Sequence, residues 1–251
     1  MAILPAPGAP ARELLTCDLG VVPYARALEF QRAVARARIA GAIDQDVLLL
    51  VEHPPVITLG RSSREAHLVA GDALLAARGV ERFEVDRGGD VTFHGPGQLV
   101  GYPILDLSRH RRDLHWYLRQ VEEALIVALR PFGLAGGRSP GYTGVWVEDR
   151  KVASIGVHAR DWVTWHGFAL NVTTDLSYFD LIVPCGIAGV RMTSVGHEMA
   201  LRGEAHGDTP AGLQAAVRAA VTEAFGQTFA LTPQAIGEAI VRERLATLAG
   251  A

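Results

Sequence analysis

The chain has 251 residues, 49% of them hydrophobic and 20% charged, with a net charge of −3. That composition buries a substantial core and excludes a disordered chain, and the length suits one α/β domain or two. The charge excludes a protein whose main business is a phosphate backbone.

In chain order, the Ala/Pro-rich residues 1–12 are read as disordered and residues 13–251 as one domain, because the Pro/Gly clusters at 131–141 and 202–212 are too short to be linkers. The start lacks the basic region of a secretory signal, and no apolar run approaches a membrane span. Pro23 opens a helix to about 41, with Ala27, Phe30, Val34 and Ala37 on the buried side. Val47–Val51 is a buried strand, and Leu99–Leu107 a strand that Pro103 places near an edge or bulge. Asp113 caps a second helix with Leu114, Leu118, Val121 and Leu125 on one face. Strands at Val145–Glu148, Lys151–Ala159 and Val163–Val172 form a meander turning at Asp149-Arg150, and helices follow at 209–225 and 233–248. The pattern favours an α/β or α+β sheet with helices on one face.

Several motifs fail on inspection. Gly95, Gly97 and Gly101 miss the dinucleotide fingerprint by one residue and lead into a strand. Ser154 lacks the glycine that a nucleophile elbow needs at position 152. His197-Glu198 has no second histidine for zinc, and no metal is required. Cys17 and Cys185 form neither a metal pair nor a framework of bridges, which fits a reducing, cytoplasmic compartment. The Asn171-Val-Thr173 sequon is then a coincidence.

Three segments carry chemistry. Arg87-Gly-Gly-Asp-Val-Thr-Phe-His94-Gly-Pro-Gly-Gln98 packs glycines, one arginine and one histidine where main-chain N–H groups can approach a ligand. Lys151-Val-Ala-Ser-Ile-Gly156-Val-His158 is strand-like and puts Lys151 on a face with Ala153, Ile155 and Val157, an unusual place for an ammonium without a partner. Val183-Pro184-Cys185-Gly186-Ile187 sets a cysteine between residues that break regular structure. A free thiol is mostly protonated at neutral pH, so a nucleophilic cysteine needs a cation close by. Taken alone, each has a plain alternative: a glycine-rich turn between strands, a lysine at a hairpin end reaching water, and a cysteine in the core.

With Glu52-His53-Pro-Pro-Val-Ile-Thr-Leu-Gly60-Arg61 and the continuation Leu99-Val-Gly-Tyr102-Pro103, these segments resemble the octanoyltransferases of lipoate biosynthesis. The motifs stand in the family's order and spacing over residues 46 to 196. The resemblance implies a single domain of the biotin/lipoate protein ligase catalytic type, with a mixed sheet and flanking helices. It implies Cys185 and Lys151 as the catalytic pair. Substrate contacts would come from Arg87, Gly88, Gly89, Asp90, Val91, Thr92, Phe93 and His94 on one wall, Ser154, Ile155 and Gly156 on a second, and Gly167, Phe168 and Ala169 on a third. Main-chain N–H groups and an imidazole such as His94 would hold the developing oxyanion, with His53 and His158 as further candidates, and Phe168 would line a tunnel for a medium-length chain.

The implied donor is octanoyl-acyl carrier protein. The implied acceptors are lipoyl domains of 2-oxoacid dehydrogenases and the glycine cleavage H protein, with no cofactor, nucleic acid or membrane involved. Arg109, Arg111 and Arg112 would help dock an acidic carrier. The alternatives are an ATP-dependent lipoate or biotin ligase, and a lipoyl-domain binder without catalysis.

Overall fold

The computed structural model describes residues 12–203 and 209–249, so the expected disorder before residue 12 lies outside the described residues. In chain order the elements are β1 (Glu13–Val21), α1 (Tyr24–Ile39), β2 (Asp46–Glu52), β3 (Val56–Leu59), α2 (Asp72–Ala77), β4 (Glu81–Glu84), β5 (Val91–His94), β6 (Gln98–Ile104), α3 (Leu114–Leu129), β7 (Gly136–Gly137), β8 (Val145–Val147), β9 (Arg150–Arg160), β10 (Val163–Asn171), β11 (Arg191–Met192), α4 (Val195–Leu201), α5 (Pro210–Phe229), β12 (Thr232–Ala235) and α6 (Glu238–Ala249).

Among these residues the strands form a large mixed sheet in the order β12-β1-β2-β6-β10-β9-β8-β7, with β11 beside β9, and a small sheet β4-β3-β5. The chain passes from the small sheet to the large one at residues 95–97, between β5 and β6. The Gly97 carbonyl anchors that turn, accepting from the N–H groups of Val172 and Thr173 and from Thr174 Oγ1.

Helices cover both faces of the large sheet, not one as expected: α3 and α5 on one side, α1 and α6 on the other. The unbroken apolar run of β2 is the reason, since a strand facing water on one side would alternate. A third cluster, around Ile57, Val91 and Phe93, fills the small sheet.

The α3 cap forms as expected, with Asp113 Oδ1 accepting from Trp116 N at 3.0 Å. Its buried face starts at Tyr117 rather than Leu114, which is exposed. Strand β6 is central rather than an edge, paired with β2 over residues 100–104. Pro103 is tolerated because the ladder to β10 ends at Gly101 and His166, at φ +57°, turns its N–H away to Gln31 Oε1 at 2.7 Å. The meander is present, with its first turn one residue early at Glu148-Asp149. Residues 232–235 form an edge strand parallel to β1 where a helix start was expected. Among the described residues no helix is long and apolar enough to cross a membrane. The sequon asparagine is buried, Asn171 Nδ2 donating to Thr193 O at 2.9 Å.

Candidate functional site

A cavity of about 200 Å³ opens where β5 of the small sheet faces β6, β9 and β10 of the large one. It is narrow by the standard of cofactor pockets and suits a slender ligand. Strand alternation decides which predicted residues reach it. Arg87, Gly89, Asp90, Thr92 and His94 line it, whereas Val91 and Phe93 point the other way, into the small sheet's core. The Phe93 ring stacks on Tyr178 at 4.7 Å, so neither residue contacts the cavity. Gly88 also stands outside it, its N–H bonded to Val157 O at 2.8 Å, which closes the loop onto β9. Ser154, Ile155, Gly156, Gly167, Phe168 and Ala169 all border the cavity. The Phe168 ring also stacks on Phe225 at 5.4 Å within the α3/α5 core.

Cys185 and Lys151 meet here although 34 residues separate them: Lys151 Nζ lies 3.1 Å from Cys185 Sγ, and Ser154 Oγ 3.6 Å from it. Lys151 is 1% exposed, as the apolar face of β9 implied, and has no ion-pair partner among the described residues. Its ammonium lies 5.0 Å from the centre of the Trp146 ring. The room for it is made by Gly144, at φ +141°, where a β-carbon would stand 2.5 Å from Ala153 O and 2.7 Å from Lys151 Cε. Gly144 is in turn held by its N–H to Glu122 Oε1 of α3 at 3.1 Å. Cys185 itself sits in a one-turn 3-10 segment at φ +57°, partly exposed, and makes no disulfide.

Arg87 brings a second buried cation to the cavity. Its Nη2 donates to Thr58 O at 2.7 Å and to Thr58 Oγ1 at 2.9 Å, and it makes no ion pair among the described residues. Burial lowers its pKa from the usual guanidinium range, while the field of Cys185 is among the influences that raise it.

A chain of hydrogen bonds sets the tautomer of His94. Asn171 Nδ2 donates to Thr193 O, so Asn171 Oδ1 accepts from Gln98 Nε2, and Gln98 Oε1 accepts from His94 Nδ1 at 2.8 Å. Burial pushes the His94 pKa down to about 3. The imidazole is neutral and its Nε2 carries a lone pair, so His94 is an acceptor and not the oxyanion donor expected. His53 lies behind Tyr102, accepting its hydroxyl proton at Nε2 with Nδ1 bonded to Val22 O, both at 2.7 Å. His158 packs on Trp165 with Nδ1 2.8 Å from Asp86 O. Neither lines the cavity.

Tyr24, Tyr102, Tyr142, His166 and Ile187 also line it, none of them singled out from sequence. Tyr102 and Ile187 stood in recognised motifs without being singled out; the others come from a helix start, a loop and a strand position without a local signal. The basic run is engaged locally: Arg109 Nη1 donates to Asp44 O at 2.5 Å, His110 pairs with Asp46 at 2.6 Å, and Arg111 with Asp113 at 3.1 Å. Among the described residues no three His, Cys, Asp or Glu side chains converge as metal ligands would.

The sequence matches the Lipoyl protein ligase A/B catalytic domain family over residues 23–221. It is 57% identical over 170 residues to an octanoyltransferase of Solibacter usitatus, covering 68% of this chain and 77% of that one. It is 50% identical over 224 residues to an octanoyltransferase of Acidobacterium capsulatum, covering 84% and 88%. Among solved structures it resembles a bipartite lipoate protein ligase of Thermoplasma acidophilum, at a TM-score of 0.70 and 18% identity over 94% of this chain and 92% of that one. It also resembles a lipoate-protein ligase A bound with ATP, at 0.67 and 16% over 94% of each. At those identities the likeness is one of fold.

Proposed function

Because the chain belongs to the Lipoyl protein ligase A/B catalytic domain family and, within it, to the octanoyltransferases, we propose that it moves an octanoyl group from octanoyl-acyl carrier protein to a lysine of a lipoyl domain, through a thioester on Cys185. The observation that carries the covalent route is the 3.1 Å approach of a buried ammonium to an accessible thiol.

Held as a thiolate beside that ammonium, Cys185 Sγ attacks the thioester carbonyl. The bond to the carrier's sulfur breaks, and that sulfur leaves with a proton from Lys151. In the second half, a neutral lysine amine attacks the enzyme thioester, Lys151 takes the proton the nitrogen sheds, and Cys185 leaves as thiolate. The starting state is restored. Arg87, buried and fixed, supplies positive potential to the tetrahedral oxyanion in both halves. The acceptors proposed are lipoyl domains of 2-oxoacid dehydrogenases and the glycine cleavage H protein.

The test mixes the protein with octanoyl-acyl carrier protein and an unmodified lipoyl domain, without ATP, and follows the intact masses of all three. We expect an octanoyl adduct on Cys185 when the acceptor is withheld and transfer when it is added. Transfer only with ATP and free octanoate would favour a ligase, and binding without turnover a non-catalytic partner. Full-rate transfer by Cys185→Ala would sink the thioester route.

A further inference from the structure

Cys185 adopts φ +57° and ψ +19°, a left-handed conformation unfavourable for any residue with a β-carbon, and such a residue stays there only if its surroundings hold it. The surroundings are specific. Gly186, also left-handed at φ +67°, lies so close to two side chains that a β-carbon on it would stand 2.5 Å from Asp90 Oδ2 and 3.0 Å from His67 Cε1. Those two side chains are bonded to each other, His67 Nδ1 to Asp90 Oδ2 at 2.6 Å. The second carboxylate oxygen, Asp90 Oδ1, accepts from Val91 N at 2.7 Å.

Residue 67 grips the turn a second time through its backbone, since His67 O accepts from Val183 N at 2.8 Å. Next to it, Leu68 forms a bridge with Ile182, and the N–H groups of Val69 and Ala70 both point to Leu181 O. The pair also disposes of a charge. Asp90 lines the same cavity as Lys151, and a carboxylate free to turn there would compete with the thiolate for the ammonium. His67 keeps one of its oxygens occupied.

We propose that His67, acting through Asp90, is a positioning residue that locks the Cys185 turn and keeps the Asp90 carboxylate off Lys151. The inference rests on reading Cys185 as the nucleophile. It is tested by two rates: single-turnover acylation of Cys185 by octanoyl-acyl carrier protein, and alkylation of Cys185 by iodoacetamide at neutral pH.

His67→Ala is expected to slow both by about 10- to 100-fold, as ångström-scale misplacement of a nucleophile does, with the donor KM little changed. Asn presents an amide nitrogen near the Nδ1 position and Gln near Nε2, so His67→Asn should restore most of the rate and His67→Gln should not. Because the two residues act as one unit, His67→Ala/Asp90→Ala should be no slower than His67→Ala alone. Wild-type rates in His67→Ala, equal rates in the Asn and Gln variants, or additive losses in the double variant would each overturn the proposal. If His67→Ala does not fold, the Asn and Gln comparison decides. A wild-type protein that alkylates at Cys185 but is never acylated would defeat the proposed function while leaving the alkylation series to judge His67.

Discussion

Lys151 is the residue on which the proposed chemistry turns, being buried at 1% exposure with a sulfur in place of a carboxylate partner. An arginine there keeps the charge but cannot give up a proton. Lys151→Arg should therefore retain part of the acylation half-reaction and lose most of the transfer to the acceptor. Lys151→Ala should slow each half by about 100-fold or more, measured by single-turnover kinetics of the two steps separately. Normal transfer by Lys151→Ala would make the lysine a bystander. The cysteines are expected to separate in the same experiments, because burial pushes Cys17 up to about 11 and leaves it unreactive at neutral pH. Both partners of the central pair came from the family resemblance, since alone a cysteine between Pro184 and Gly186 and a lysine among apolar strand positions each had a plain alternative. His67 did not. Its role depends on Asp90, 23 residues away, and no spacing within a strand or helix encodes that contact.

At the scale of elements, the site is built by strand alternation and by one helix behind it. The wall from Arg87 to His94 was read as continuous, yet β5 sends Val91 and Phe93 into the small sheet and only the intervening residues into the cavity. The small sheet was not foreseen, and without it the sidedness of β5 has no reference. Helix α3 reaches the site through Glu122, whose fully buried carboxylate accepts from Gly144 N, from Arg119 Nη1 at 2.6 Å and from Arg138 Nε at 2.9 Å. Glu122→Ala should cost about 1–3 kcal/mol, chiefly from the buried N–H of Gly144 left without an acceptor, since both arginines reach solvent. It should also slow acylation, because Gly144 makes the room that Lys151 occupies. Urea unfolding and single-turnover acylation on the same preparation would test both. Unchanged stability would mean that the carboxylate's bonds contribute nothing net.

Across the whole molecule, buried neutral histidines tie stability to pH. Burial holds His53 at about 4 and His94 at about 3, both below the ordinary value near 6.5. Between those limits the unfolded chain binds protons that the folded protein refuses. The unfolding free energy should therefore fall as pH drops below about 6.5, by up to about 1.4 kcal/mol per pH unit for each histidine. Urea midpoints from about pH 7 to about 4.5 would reveal the slope, which His53→Gln should flatten; identical slopes would remove His53 from the account. The fold class was legible from hairpins and separated helices, while the second helical face, β1 and β12 were not. Their pairing joins distant segments, as when Glu13 lies beside Thr232. The cavity itself draws on residues from Tyr24 to Ile187, and among these its sulfur comes second to last in chain order. During synthesis, then, every other lining residue except Ile187 leaves the ribosome before the cysteine does, and closing so long a loop is slow. The nascent chain therefore lacks the proposed nucleophile until the other walls of its cavity, Ile187 apart, have been made.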